Sequence, residues 1–429
     1  MKVIADLHIH SRFSRACSQQ LTLENINKTC AMKGVDIVAT GDFTHPIWFK
    51  EMKEKLVEKE SGLYVLKSPP NPLLGKEGEK LTRFLCSTEL SCIYTKGGKC
   101  RRLHIVVLAP NLETVEKINA SLEALGANLK SDGRPILGMN VTRLAEICWA
   151  ADERCMIIPA HIWTPWFAMF GSKSGFDSVE ECWGQYADRI YAIETGLSSD
   201  PPMNWRVKNL DRLSITSNSD AHSLPNLARE ANVFEVEKKK LSYDEICRII
   251  KESKLDEFLY TIEFYPEEGM YHFDGHRLCG INFSPAESKK HNNICPKCKK
   301  PLVIGVMNRV EELADASRPE DFVDPKRVPF KKLIELDKIV AESLNIKSRN
   351  SKAVQADYKN LINNFGTEFK ILLDVPKEDL IKVTLPQIAE GIIRAREGKV
   401  HVTPGFDGEY GRIKIFDDNE RDNFQKSLF

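Results

Sequence analysis

Val3-Ile4-Ala5-Asp6-Leu7-His8-Ile9-His10 is a short strand-forming run that ends in two imidazoles at positions i and i+2. On extended chain those side chains leave on the same side and can grip one ion. The pattern recurs. Residues 35–40 lead into Gly41-Asp42, residues 84–88 into Glu89, residues 156–160 into His161, and residues 190–193 into Glu194. Ser214-Ile215-Thr216 leads into Ser219-Asp220-Ala221-His222, and the run 103–108 carries His104. Asp220-Ala221-His222 repeats the i, i+2 geometry with a carboxylate and an imidazole. Amphipathic stretches at Leu23–Lys33, 112–125, Val141–Ala151 and Tyr243–Glu252 separate the runs. Strands alternating with helices predict a parallel sheet, and in a parallel α/β barrel the strand ends meet on one face. Six of the ten histidines (His8, His10, His45, His104, His161, His222) fall in or beside these runs, which polar turns alone do not explain.

The chain has 429 residues, enough for two to four domains at roughly 100–200 residues each. Lys+Arg and Asp+Glu balance at 61 each, with 42% hydrophobic and 28% charged residues. That excludes a globally basic coat protein and leaves a local basic channel open. No run approaches the ~18 apolar residues of a membrane span, and Asp6 arrives too early for a secretory signal. A cytoplasmic protein with no membrane partner is expected. Nine of the 12 cysteines (Cys17, Cys30, Cys86, Cys92, Cys100, Cys148, Cys155, Cys182, Cys247) show no paired spacing and read as free thiols.

Asp6-Leu7-His8-Ile9-His10-Ser11, Thr40-Gly41-Asp42, Glu89, His104, Pro159-Ala160-His161 and Asn218-Ser219-Asp220-Ala221-His222 together resemble the polymerase-and-histidinol-phosphatase (PHP) superfamily. The resemblance implies a distorted seven-stranded (β/α) barrel that hydrolyses phosphoesters with two or three divalent ions, Zn, Mn or Mg. It implies that His8, His10, Glu89 and Asp220 hold one ion and carry the catalysis. Glu89 would bridge to a second ion held by His104 and His161, and Asp42 and His222 would serve a third. Gly41-Asp42-Phe43 stands where many members have Thr-Asp-His, and Ser14-Arg15-Ala16-Cys17 where many have a further histidine. His45 and Cys17 are the alternatives for that third position.

Beyond Tyr260 the pattern changes. His276-x-x-Cys279 and Cys295-Pro-x-Cys298 form two pairs at zinc-knuckle spacing, predicting a closed, structural zinc site. His272, Asp274 and His291 compete with His276 as the fourth ligand. Lys289, Lys290, Lys297, Lys299, Lys300 and Arg309 crowd this module, either as a solvated face or as a grip on phosphate backbone. Lys96-Gly97-Gly98-Lys99-Cys100-Arg101-Arg102 reads as a hairpin tip and a second basic patch. Helices are predicted at 330–344, 357–363 and 385–397, then strands at 400–402 and 412–416 around a Gly-rich turn. The expected organisation is a barrel over 1–262, a zinc-binding module over 263–314 and an α+β C-terminal domain over 315–429. Residues 67–80 read as a loop, and Gln425, Leu428 and Phe429 resemble a shortened sliding-clamp-binding motif.

The barrel, the Cys-Pro-x-Cys module and residues 305–315 together resemble the endonuclease Q family. The implied activity is a DNA-repair endonuclease acting by metal-activated water. It would cut 5′ of deaminated bases (uracil, hypoxanthine, xanthine) and abasic sites, leaving 3′-OH and 5′-phosphate. Such a base must leave the stack to be read. Trp163 and Trp166, beside His161, are candidates to pack on DNA or on the extruded base, or else to close the barrel as buried aromatics. Arg101 and Arg102 are candidates for backbone contacts, and Glu194 for a substrate-facing or supporting role. The competing functions are a PHP-type exonuclease, a small-molecule phosphatase of the histidinol-phosphate kind, and a metal-free DNA-binding module.

Overall fold

The computed structural model describes residues 1–67 and 81–417. The loop expected after Lys67 and the terminal Gln425, Leu428 and Phe429 lie outside the described residues. All seven expected runs form strands: Lys2–Asp6, Ile37–Ala39, Arg83–Leu85, Lys99–Leu108, Met156–Pro159, Ala192–Glu194 and Ser214–Thr216. Helices at Leu23–Lys33, Leu112–Ala124, Val141–Ala151 and Tyr243–Glu252 follow the sequence expectation. Their starts are capped by Thr22, Asn111, Asn140 and Ser242, whose side chains accept backbone N–H groups of the first turn.

The sheet is mixed, which corrects the expected parallel one. Lys2–Asp6, Ile37–Ala39 and Arg83–Leu85 pair in parallel, as do Ala192–Glu194 and Ser214–Thr216. Lys99–Leu108 runs antiparallel both to Ser87–Lys96 and to Met156–Pro159. The reason is local. Gly97 and Gly98 both take positive φ, 61° and 72°, so the hairpin tip expected at residues 96–102 forms as a two-residue turn and sets the long strands antiparallel. Ala231–Glu235, Phe258–Glu263 and Phe330–Lys332 extend the first sheet on one side and Leu63–Leu66 with Leu56–Glu60 on the other, making eight strands. Where ladders stop, loops make the join. His10 N donates to Ala221 O at 3.1 Å, Asp220 N to His8 O at 2.9 Å, and Ile162 N to Glu194 O at 3.2 Å. Alternate residues Val3, Ala5, Leu7, Ile37, Leu85, Val106, Ile158 and Ala192 share one buried cluster. That apolar core lies among the strands that carry the site at their ends.

The segment 330–344 is not one helix. Phe330–Lys332 joins the sheet parallel to Phe258–Glu263, and the helix begins at Leu336. The edge of Phe258–Glu263 offers unpaired backbone groups, and Phe330 packs edge-on against Trp205, so tertiary pairing overrides the helical pattern. Helices Lys352–Phe365, Glu368–Leu373, Lys377–Ile381 and Pro386–Arg396 complete the helical unit. The last hairpin pairs His401–Thr403 with Arg412–Lys414 beside Phe273 and Gly275. Phe406 bridges to Phe273 and sits so close to Gly275 that a Cβ there would come within 2.3 Å. Arg309 is buried rather than facing DNA, and its guanidinium donates to Phe170 O, Phe176 O and Asp177, tying the helix Val306–Leu313 to the loop at 170–177. Among the described residues no helix is long and apolar enough to cross a membrane.

Glu230 and Glu263 are fully buried and close to each other, with Asp200, Glu194 and Arg229 around them. Burial pushes the Glu263 carboxyl up to about 8, and burial together with Glu263 pushes Glu230 well above the usual range. A carboxyl raised on folding contributes stability that is fully present below its unfolded pKa of about 4.3. That contribution is lost as pH rises through the folded value of about 8. The Tm of the wild type is therefore expected to fall across this window, and Glu263→Gln to flatten the fall. A Tm-versus-pH series on both proteins checks it.

Candidate metal centre

Three residues of the site hold left-handed backbone without being glycine: Asp42 (φ 48°), His161 (φ 29°) and Asp220 (φ 44°). Such strain persists where surrounding contacts over-determine it, and it clusters at functional sites. Gly196 shows how tightly the site is built, since a Cβ there would lie 2.3 Å from His161 Cβ.

Glu89 stands at the centre, fully buried, with its two oxygens facing opposite ways. Oε2 lies 3.7 Å from His8 Nε2 and 3.3 Å from His10 Nε2, and Asp220 Oδ1 lies 3.0 Å from His10 Nε2. Oε1 lies 2.8 Å from His104 Nδ1 and 3.0 Å from His161 Nε2, whose nitrogens are 3.2 Å apart. Within each set, His8, His10, Glu89 and Asp220, and Glu89, His104 and His161, the donor atoms lie within 4.8 Å of one another. His8 Nε2, His10 Nε2 and Asp220 Oδ1 are buried with no hydrogen-bond partner among the described residues. Most buried polar atoms in folded proteins are paired, and these three converge within 4.8 Å, so they fit a shared cation. Burial drives the His104 imidazole down to about 4. Burial alone would raise Glu89, but His104, Arg134 and His8 outweigh it and hold the carboxylate ionised.

The outer nitrogens are held by carboxylates. His8 Nδ1 donates to Glu194, at 3.0 Å from Oε1, and Glu194 also accepts from His161 N and Asn218 Nδ2. Glu194 is fully buried, a place from which it can hold the imidazole of His8 in orientation. Asp42 accepts from His10 Nδ1 at 3.0 Å and from the amide and hydroxyl of Ser11. Both Asp42 oxygens are therefore engaged. His222 turns its Nδ1 to Asp220 O at 2.8 Å, and among the described residues neither Asp42 nor His222 belongs to a converging ligand set. His45 stacks on Phe13 with its Nδ1 buried and unpartnered among the described residues, and Cys17 packs against the core.

The aromatic pair divides. Trp163 is 1% exposed and donates Nε1–H to Asn204 Oδ1, which makes it part of the wall. Trp166 is 44% exposed and edges Tyr271. Arg101 is buried over Phe176 and donates to Gly175 O and Glu181, so it is structural, whereas Arg102 is exposed near Phe167, the ring that covers His104. Sequence reasoning missed Arg134, which donates Nη1–H to Glu89 Oε2 at 3.0 Å. A single arginine in a loop carries no spacing that could have marked it. A cavity of about 320 Å³ opens beside the site, lined by Trp166, Met270, Tyr271, His272 and Tyr410. His272 is 5% exposed and its Nδ1 has no partner among the described residues. Thr164 links the two places, with its hydroxyl 3.1 Å from His161 Nδ1 and 2.9 Å from Trp166 O.

In the module, His276, Cys279, Cys295 and Cys298 converge, with Cys298 Sγ 3.8 Å from His276 Nε2. The competitors lie elsewhere: Asp274 accepts from Gly305 N and Asn308, and His291 stacks on Phe283.

Residues 335–399 match the family described as MJ0043 C-terminal domain. The MJ0043 protein of Methanocaldococcus jannaschii is 35% identical over 255 residues, which is 59% of this chain and 31% of that protein. The chain thus spans about a third of that relative. The lesion-specific endonuclease PfuEndoQ from Pyrococcus furiosus is similar with a TM-score of 0.82 and 29% identity, over 97% of this chain and 96% of that one. Endonuclease Q, solved in complex with a 27-mer duplex bearing an abasic lesion at its active site, gives a TM-score of 0.81 and 30% identity. That match covers 97% of this chain and 98% of the other. These similarities give no support to a sliding-clamp partner.

Proposed function

Because the chain belongs to the endonuclease Q family, we propose that it is a metal-dependent DNA-repair endonuclease. It nicks duplex DNA on the 5′ side of deaminated bases (uracil, hypoxanthine, xanthine) and abasic sites, leaving 3′-OH and 5′-phosphate ends. The observation that carries this reading is Glu89, buried between two donor sets with one oxygen on each. The mixed nitrogen and oxygen donors suit Zn or Mn. Divalent ions held there supply water activation and neutralise phosphate oxygens. The chain's own residues do the rest. Glu194 and Asp42 fix the imidazoles of His8 and His10, and Arg102 beside the mouth meets the DNA backbone. We read residues 1–262 as a PHP-type barrel whose sheet is extended by Phe330–Lys332. We read 263–314 as a module closed by structural zinc, and 315–429 as a C-terminal domain that lends the module its last hairpin.

The cavity beside His161 suits an extruded base. Its volume of about 320 Å³ falls in the range of small-ligand pockets. Deamination replaces an amino donor with a carbonyl acceptor, and an unpartnered His272 Nδ1–H in the wall can donate to that carbonyl while leaving an amino group unpaired. Trp166→Ala is expected to lower the rate on deoxyuridine and deoxyinosine duplexes by about tenfold or more, at about 1–3 kcal/mol per stacked base. Trp163→Ala is expected instead to lower stability by about 3–5 kcal/mol without changing the ratio between lesion substrates. Nicking rates and urea midpoints separate the two residues.

The reading is tested with end-labelled duplexes carrying one deoxyuridine, deoxyinosine or abasic site, with an undamaged control. A cut at the phosphodiester 5′ of the lesion supports it. Trimming from ends regardless of lesion places the chain with the exonucleases, and phosphate release from small monoesters with no cut places it with the phosphatases.

A further inference from the structure

The site assembles two ligand sets and leaves the third position without a free carboxylate, because His10 and Ser11 engage both oxygens of Asp42. A fixed positive charge nevertheless sits at that mouth. Arg134 Nη1 donates to Glu89 Oε2 at 3.0 Å, on the side of the carboxylate that faces His10 and Asp220. A guanidinium has five N–H donors, and the other four of Arg134 have no partner among the described residues. Its side chain is 23% exposed, so those donors border the opening and are not sealed in the core.

The chain is built to deliver this side chain. Gly133 passes so close to the site that a Cβ would meet Asp42 Oδ2 and Ser14 Oγ at 2.4 Å each. Gly133 N donates to Phe13 O at 3.0 Å, Asp132 Oδ1 accepts from Arg134 N and Arg15 N, and Pro135 O accepts from Ser91 N. The loop is thus pinned on both sides of Arg134. A residue needed only to balance charge would not require its remaining donors at the mouth.

We propose that Arg134 is a catalytic residue that grips a non-bridging oxygen of the scissile phosphate, filling the place of the third ion. This rests on the endonuclease reading above. In the reaction the oxygen of water bonds to phosphorus and the P–O3′ bond breaks. One water proton ends on the released 3′ oxygen and the remaining OH stays on the 5′-phosphate. Charge gathers on the non-bridging oxygens during that exchange, and a preplaced guanidinium stabilises it more than the ground state. Glu89 holds the guanidinium plane, and the free donors meet the phosphate.

The test compares wild type, Arg134→Gln and Arg134→Lys by four readouts: metal content after purification, Kd for a lesion duplex, single-turnover nicking rate, and the rate on a methylphosphonate placed at the scissile position. The expected result for Arg134→Gln is unchanged metal content, a Kd within a few-fold of wild type, and a rate lower by about 10²–10³-fold. Arg134→Lys should recover part of that loss. Methylphosphonate should slow wild type strongly and add little to Arg134→Gln. The proposal is overturned if Arg134→Gln nicks at the wild-type rate, or if its rate falls only in proportion to lost metal. Failure of the wild type to nick any lesion duplex would instead overturn the endonuclease reading, and the role of Arg134 with it.

Discussion

Glu89→Gln is expected to remove lesion-dependent nicking by on the order of 10³-fold or more. Metal assistance supplies several kcal/mol of transition-state stabilisation, and each 1.36 kcal/mol is tenfold in rate. The substitution keeps the size of the side chain and turns one of its two donor positions into an amide NH₂. Both ligand sets lose affinity together, because Oε1 faces His104 and His161 while Oε2 faces His8 and His10. Metal analysis of the purified variant should show the barrel ions depleted, with one zinc retained by the distant cysteine site. Glu194→Gln makes the graded contrast. It touches no donor set but holds His8 Nδ1, so a loss of about 10–100-fold is expected, with metal affinity reduced rather than abolished. Equal effects from the two substitutions would mean that Glu89 does not bridge.

The second large effect is expected from Cys295→Ser. Cys295 is buried in the module's small core with Ile281 and Leu302, and its sulfur shares the cluster with Cys279, Cys298 and His276. A structural zinc contributes about 10–16 kcal/mol in small domains, so losing one thiolate should melt the module. The consequence reaches further than the zinc. Phe406 packs on Gly275, Asn282 Nδ2 donates to Pro404 O at 2.9 Å, and Tyr271 and Tyr410 both line the cavity. The variant should therefore keep the barrel ions, lose one zinc per chain, show an early unfolding step by calorimetry, and lose preference for deaminated bases. Retention of that zinc with an intact melting profile would remove the cysteine cluster from the account.

Much of this was readable from local pattern. His8-x-His10 and Asp220-x-His222 lie in loops that hydrogen-bond to each other, and four amphipathic stretches became the helices expected within a residue of their ends. The convergence of Glu89, His104 and His161 is a different matter. It depends on strand order, and came from the family resemblance rather than from spacing. Spacing also cannot say which atom faces an ion. Asp42 and Glu194 carry the right chemistry, yet each gives an oxygen to an imidazole N–H and accepts further bonds from Ser11 or from His161 N and Asn218. Trp163 and Trp166 are three positions apart in an irregular loop where no periodicity separates inside from outside, and only one is exposed. Phe330–Lys332 was lost to a helical pattern because its partner strand, Phe258–Glu263, lies almost seventy residues earlier. Arg134 had no sequence signal, since a loop held by Gly133 against Asp42 is a tertiary fact.

The most direct measurement uses a covalently closed circular duplex with one deoxyuridine and an undamaged twin, each incubated with metal-loaded and chelator-stripped protein. A circle has no ends, so only an endonuclease can act on it. The account predicts one nick, mapped to the phosphodiester 5′ of the deoxyuridine, dependent on metal and absent from the twin. An intact lesion circle under conditions where linear duplexes are degraded from their ends would contradict it.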